Sequence, residues 1–113
     1  MENEASKFFQ KFASDLPKMS KVARTEVSAF TIMFNKIMKD GALTLKEKEL
    51  IALGMCLVLR CQPCINLHIK KCVDSGATKE QILEVAGVGI MMQGGPGFTY
   101  IPKVIDALEA LGK

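Results

Sequence analysis

The chain contains no tryptophan, one tyrosine and one histidine, and aromatic residues make up 6% of the total. Platforms for stacking bases are therefore scarce. The net charge of +3 comes from lysines interspersed with acids, not from a basic face. Nucleic-acid binding needs concentrated positive charge beside aromatic or base-reading groups, so that class of function is not expected. Long apolar runs are missing too. The longest, Ile51–Leu59 and Val85–Met92, fall far short of the ~20 residues that cross a bilayer. Met1–Gln10 is acidic and then mixed, without the apolar stretch of a secretory leader. No membrane association and a cytoplasmic location are expected. Thiols in that compartment are usually reduced, so paired cysteines there point to catalysis or metal binding more than to a permanent staple.

Apolar residues nevertheless make up 49% of the chain, against 24% charged. At 113 residues a single domain over 1–113 is expected, near the lower end of domain size, where surface is large relative to volume. Such a chain either exposes an unusual apolar patch or buries one against copies of itself, and self-association is the expectation. The seven methionines read as core or interface filler. Lys70-Lys71 reads as a solvated face.

Period-two alternation is also absent, so strands are not expected and the fold class is all-α, with about six helices. Phe8, Phe9 and Phe12 mark a short first helix that should end before Pro17. From about Lys18 to Lys39, a stripe of Val22, Val27, Phe30, Met33, Phe34, Ile37 and Met38 predicts a second, stopped at Asp40-Gly41. These N-terminal helices occupy 1–42, and 43–113 forms a motif-bearing core. Thr44 and Glu47 have capping-box spacing and open a third helix through about Leu59. A fourth begins near Pro63, where a missing N–H is harmless, and ends by Gly76. Thr78 and Gln81 repeat the capping logic for a fifth. Its Val85–Met92 portion is apolar on nearly every side and should be buried all round, with Gly87 and Gly89 permitting close approach. Gln93–Gly97 reads as a loop, and a last helix carries Ile101, Val104, Ile105, Leu108 and Leu111 inward.

Two of the four cysteines, Cys61 and Cys64, are separated by two residues, and the only histidine, His68, follows four positions later. Two thiols so spaced can close into a disulfide, and His68 returns to the side of the helix that carries Cys64. Thiolate is the reactive form, and a helix N-terminus favours it through unpaired N–H groups and the helix dipole. The third and fourth helices are expected to form a hairpin with this CxxC at the N-terminus of its second member. Cys64 is thus the better candidate for the sulfur that His68 activates, and Cys61 for the partner that completes the bridge. Cys56 and Cys72 read as small buried apolar groups.

Thr44-Leu45-Lys46-Glu47-Lys48-Glu49-Leu50-Ile51-Ala52-Leu53, Cys61-Gln62-Pro63-Cys64 with His68, and Gly76-Ala77-Thr78-Lys79-Glu80-Gln81-Ile82 resemble the carboxymuconolactone decarboxylase superfamily. Within it the resemblance is to the alkylhydroperoxidase-D-like branch, marked by Glu, eleven residues, CxxC, three residues and His. It covers roughly Leu43 to Leu108. The resemblance, not the spacing, singles out Glu49 over Glu47. It implies homotrimers or homohexamers and a dithiol peroxidase or disulfide reductase that needs no cofactor. Glu49 and His68 would relay a proton from Cys64, a hydroperoxide would oxidise Cys64 to a sulfenic acid, and Cys61 would condense with it. A lipoyl-bearing or thioredoxin-like dithiol protein would restore the thiols. The best-studied peroxidases of the branch have a histidine inside the CxxC, where this chain has Pro63. In a simple antiparallel hairpin Glu49 would lie ~18 Å from the turn and His68 only ~7–10 Å, at ~1.5 Å of rise per residue. Side-chain reach, helix crossing or a bridging water has to close that offset.

Two alternatives compete. One is a lactone decarboxylase of the parent superfamily, whose chemistry does not require the cysteines. The other is a non-catalytic oligomeric binding or zinc protein using Cys61, Cys64, His68 and Cys72. Three ligands along one helix, however, do not easily converge at ~2.0–2.3 Å on one ion.

Overall fold

The structure is a computed structural model that describes residues 2–113. Those residues form seven helices and no strand: α1 (Glu4–Val22), α2 (Arg24–Met38), α3 (Leu45–Leu59), α4 (Gln62–Asp74), α5 (Lys79–Gln93), α6 (Gly95–Phe98) and α7 (Ile101–Ala110). The all-α expectation holds, with six substantial helices and the four-residue α6 in the segment read as a loop.

Local chemistry sets most of the boundaries. Thr44 and Thr78 each accept from the backbone N–H three residues on, and Glu47 and Gln81 each reach back to complete a capping box. A third box, at Asn3 and Ser6, starts α1. Asn3 also donates from Nδ2 to the Asp106 carbonyl at 3.0 Å, tying the first helix to the last.

The first helix does not stop before Pro17 but runs through it to Val22. Proline removes one i→i−4 bond. Ala13 and Pro17 are both exposed, so water can satisfy the carbonyl left without a donor. The break comes instead at Ala23, whose φ of −120° and ψ of 54° leave the helical region.

The core lies between α3, α4, α5 and α7, around Leu53, Ile65, Ile69, Ile82, Val104 and Leu108. The expectation that Val85–Met92 is buried all round fails, and the apolar stripe of α2 is also largely bare. α2 has no fully buried residue: Phe30 and Ile37 are each 59% exposed, and only Val27, Phe34 and Met38 are half-buried. α5 buries Ile82, Ala86 and Gly89 but leaves Val88, Met91 and Met92 at 57%, 71% and 66% exposure. The cause is the same for both, since neighbours within the chain cover only one side of each helix. The bare side of α5 joins Ile51, Met55 and Val58 of α3 in an apolar groove of about 610 Å³.

Close approach falls at a different glycine from the two expected. Gly87 has open space, and Gly89 makes ordinary contact with Leu57. Gly97 of α6 is the tight one, because a Cβ there would lie 2.7 Å from the Gly89 carbonyl oxygen and 2.9 Å from Ile90 Cα.

Candidate active site

The site is built on the α3–α4 hairpin. Arg60 closes α3 in the left-handed region (φ 54°, ψ 41°). That conformation folds the chain back, so the Cys61 N–H donates to the Cys56 carbonyl at 3.2 Å, the bond pattern of a Schellman ending. Cys61 is then extended, and its own carbonyl accepts from the Ile65 N–H at 2.9 Å as α4 begins. Pro63 sits in the first turn of α4, and Cys64 follows it.

Cys61 and Cys64 are joined as a disulfide, with Cα atoms 5.2 Å apart, well inside the span such a bridge tolerates. Both cysteines are half-buried, so the pair is sheltered but reachable. His68 lies one turn beyond Cys64 on the same face of α4.

Glu49 and His68 meet directly. Glu49 Oε1 lies 2.6 Å from His68 Nδ1, with the carboxylate side chain 2% exposed and the imidazole 18%. The Arg60 turn explains how the expected axial offset vanishes. It returns Cys61 to the level of Cys56, and from there both partners lie seven residues away, Glu49 back along α3 and His68 forward along α4. Each therefore rises about 10.5 Å from the shared level. Counting from the tip of the hairpin overestimates the distance to Glu49, because the last turn of α3 is retraced. A carboxylate can only accept, so Nδ1 carries the proton and Nε2 is the nitrogen left to serve the sulfurs.

Electrostatics separates this pair of sulfurs from the other two cysteines. Cys56 and Cys72 are buried free thiols. Burial, reinforced by the Glu49 charge, pushes Cys72 up to about 12 and raises Cys56 in the same direction. Both are held as inert thiols. The same negative charge would oppose a thiolate at Cys64, which makes the intervening imidazole important: once protonated, it offsets Glu49 on the side facing the sulfur.

Several residues at the site were not read from the sequence. Phe34 of α2 places its ring 6.3 Å from that of His68, tilted by 33°. Lys70 and Lys71 are both exposed, as expected; Lys70 pairs with Asp74 at 2.8 Å, and Lys71 in addition holds its ammonium 4.7 Å from the Phe34 centroid. Gln62 Oε1 and Asn66 Oδ1 are buried without a partner in the chain. No local pattern marks these residues, because each acquires its setting only when helices pack. Among the described residues, no three His, Cys, Asp or Glu side chains gather as a metal-holding group, and no helix is long and apolar enough to cross a membrane.

The family model for the carboxymuconolactone decarboxylase family matches residues 26–109. An uncharacterised protein of Cupriavidus necator is 35% identical over 85 residues, covering 75% of each chain. Uncharacterised protein 4 in the cox locus of Paracoccus denitrificans is 31% identical over 101 residues, covering 89% of this chain and 91% of that one. Among solved structures, a carboxymuconolactone decarboxylase family protein of Legionella pneumophila superposes with a TM-score of 0.89 at 31% identity, covering 99% of this chain and all of that one. A Thermotoga maritima protein of the same family, suggested to take part in an antioxidative response, gives a TM-score of 0.78 at 27% identity, covering 94% and 90%.

Proposed function

Because this chain belongs to the carboxymuconolactone decarboxylase family and carries a dithiol beside a buried Glu–His pair, we propose that it is a thiol-dependent oxidoreductase acting on hydroperoxides or disulfides. One observation carries the reading: a bridge between Cys61 and Cys64 starts one turn from an imidazole whose Nδ1 is held by Glu49.

In the reduced enzyme, His68 Nε2 takes the Cys64 proton. The thiolate attacks one peroxide oxygen and the O–O bond breaks. Cys64 becomes a sulfenic acid, and the departing alkoxide leaves as an alcohol with the proton returned by His68. The Cys61 sulfur then attacks Cys64 and the S–O bond breaks. Hydroxide leaves as water with the Cys61 proton, and the disulfide is formed. An external dithiol reopens it by two exchanges and is itself oxidised to a disulfide. Glu49 holds the ring in the tautomer that presents Nε2 and stabilises the imidazolium while it exists. Pro63 fixes the backbone between the sulfurs but offers no proton, so His68 alone serves both half-reactions.

The test is a thiol titration with mass spectrometry, before and after one equivalent of cumene hydroperoxide. Two thiols per chain should disappear, with a loss of two hydrogens mapped to Cys61 and Cys64. Thiols that stay reduced in excess peroxide defeat the reading. Family lyase activity that survives in the Cys61→Ser, Cys64→Ser double variant would instead favour decarboxylase chemistry.

A further inference from the structure

We propose that Phe34 is a positioning residue for the Glu49–His68 pair, and that α2 serves to hold it there. The proposal rests on the oxidoreductase reading for the meaning of the pair but not for the geometry.

α2 is poorly embedded for a helix of 15 residues, with no buried side chain of its own. Where it does touch the body is therefore informative. Val27, Phe34 and Met38 are its half-buried residues and lie on one stripe. Of these, Phe34 sits against the His68 ring at 6.3 Å between centroids, with Lys71 of α4 above it at 4.7 Å. His68 and Lys71 are three residues apart on α4, so the Phe34 ring engages two neighbouring positions of that helix.

The C-terminal end of α2 is fastened independently. Lys48 Nζ of α3 donates to the carbonyls of Ile37 and Lys39 at 2.7 and 2.8 Å, a charged cap at the helix's negative end. Asp40 Oδ1 accepts from the Leu45 N–H at 2.6 Å, fixing the α2–α3 connection. These contacts hold Phe34 one turn from a pinned terminus.

A role for that ring follows from what lies beside it. A cleft of about 420 Å³, walled by Phe34, Met38, Lys39 and Lys71, reaches Glu49 from the α2 side. Without Phe34 this cleft, which already borders Glu49, would open onto the imidazole as well, and water would compete for Nδ1. A hydrogen bond to an ionised group is stronger and more directional in a dry setting. Phe34 thus shields the imidazole side of the contact from the cleft and limits rotation of the His68 ring, keeping Nδ1 on Glu49.

The experiment compares Phe34→Ala, Phe34→Leu, Phe34→Tyr and, as a control on the same stripe, Val27→Ala. Two quantities are read: the rate of Cys61–Cys64 bridge formation with cumene hydroperoxide, and the ¹⁵N resonances of His68, which report the fraction protonated at Nδ1. Phe34→Ala should slow bridge formation about tenfold or more and move the ¹⁵N resonances toward mixed tautomers. Phe34→Leu, which keeps bulk without a ring, should fall between, and Phe34→Tyr should restore most of the rate. Val27→Ala should change neither. Unchanged rate and resonances in Phe34→Ala overturn the proposal, as does an equal loss in Val27→Ala, which would mean that α2 acts only as a structural brace. If Phe34→Ala does not fold, Phe34→Leu decides by the same two readings. A wild-type chain that forms no bridge defeats the oxidoreductase reading, while the imidazole resonances still decide the role of Phe34.

Discussion

At the scale of single residues, the four cysteines divide by environment. Cys61 and Cys64 stand at a helix start beside an imidazole, whereas Cys56 and Cys72 lie in the core within reach of the Glu49 charge. Cys72 has a folded value of about 12 against an ordinary value of 9.0. A raised value means that the folded state keeps the proton more tightly, so stability is full below pH 9 and declines as pH climbs toward 12. Denaturant midpoints at pH 8, 9 and 10 should therefore fall more steeply for the wild type than for Cys72→Ala, which costs about 1 kcal/mol at pH 8 but lacks that decline. Parallel slopes would contradict this. Glu49→Gln tests the relay. It keeps the shape but removes the charge, and bridge formation should slow by about 100-fold while the fold persists, as stopped-flow oxidation and circular dichroism would report. The sulfurs and His68 were legible from spacing alone, since one helical turn relates Cys64 to His68. Glu49 was reachable only through family resemblance, because its partnership depends on a turn that retraces α3. Phe34 gave no signal, because nothing in its local sequence separates a ring on a site from a ring in a stripe.

At the scale of elements, the helix starts followed from local chemistry. Thr44 and Thr78 had their capping partners three residues on, and the structure uses both pairs. Pro17 misled because the proline rule concerns one hydrogen bond, and an exposed carbonyl can take water in its place. The α5–α6 contact depends on a residue without a side chain at position 97. Gly97→Ala would push a methyl group into the backbone of Gly89 and Ile90, which cannot move aside as a side chain can. The expected cost is about 2–3 kcal/mol, measured as a lowered urea midpoint with an unchanged slope. A neutral outcome would mean that α6 can lift from α5 freely. The exposure of α2 and α5 was not legible, because apolar spacing says which face seeks cover but not whether the chain supplies it.

At the scale of the whole molecule, the apolar excess noted in the composition reappears as surface. Met55, Val58, Val88 and Met92 are exposed along one groove between α3 and α5, and Met91 of α5 and Phe30, Ile32 and Ile37 of α2 are exposed as well. Contiguous apolar surface of this kind is rare on proteins that remain single in water. The chain is expected to assemble with its own copies, and sedimentation velocity at micromolar concentration should give an oligomer. Met55→Glu, on a side chain 62% exposed, should yield smaller species with little change in the fold. A wild-type monomer would refute the expectation.

The backbone around Cys61 has a consequence for how the redox state is sensed. Its N–H and carbonyl are both engaged, with Cys56 and Ile65, so on opening of the bridge the main chain is expected to stay in place and only the sulfurs to swing. Oxidised and reduced forms should give the same amide spectrum outside residues 60–68, and a shift spreading into α5 or α7 would argue against this. Under the proposed chemistry, an electron donor would then meet no altered outline and would have to find the sulfur–sulfur bond by touch.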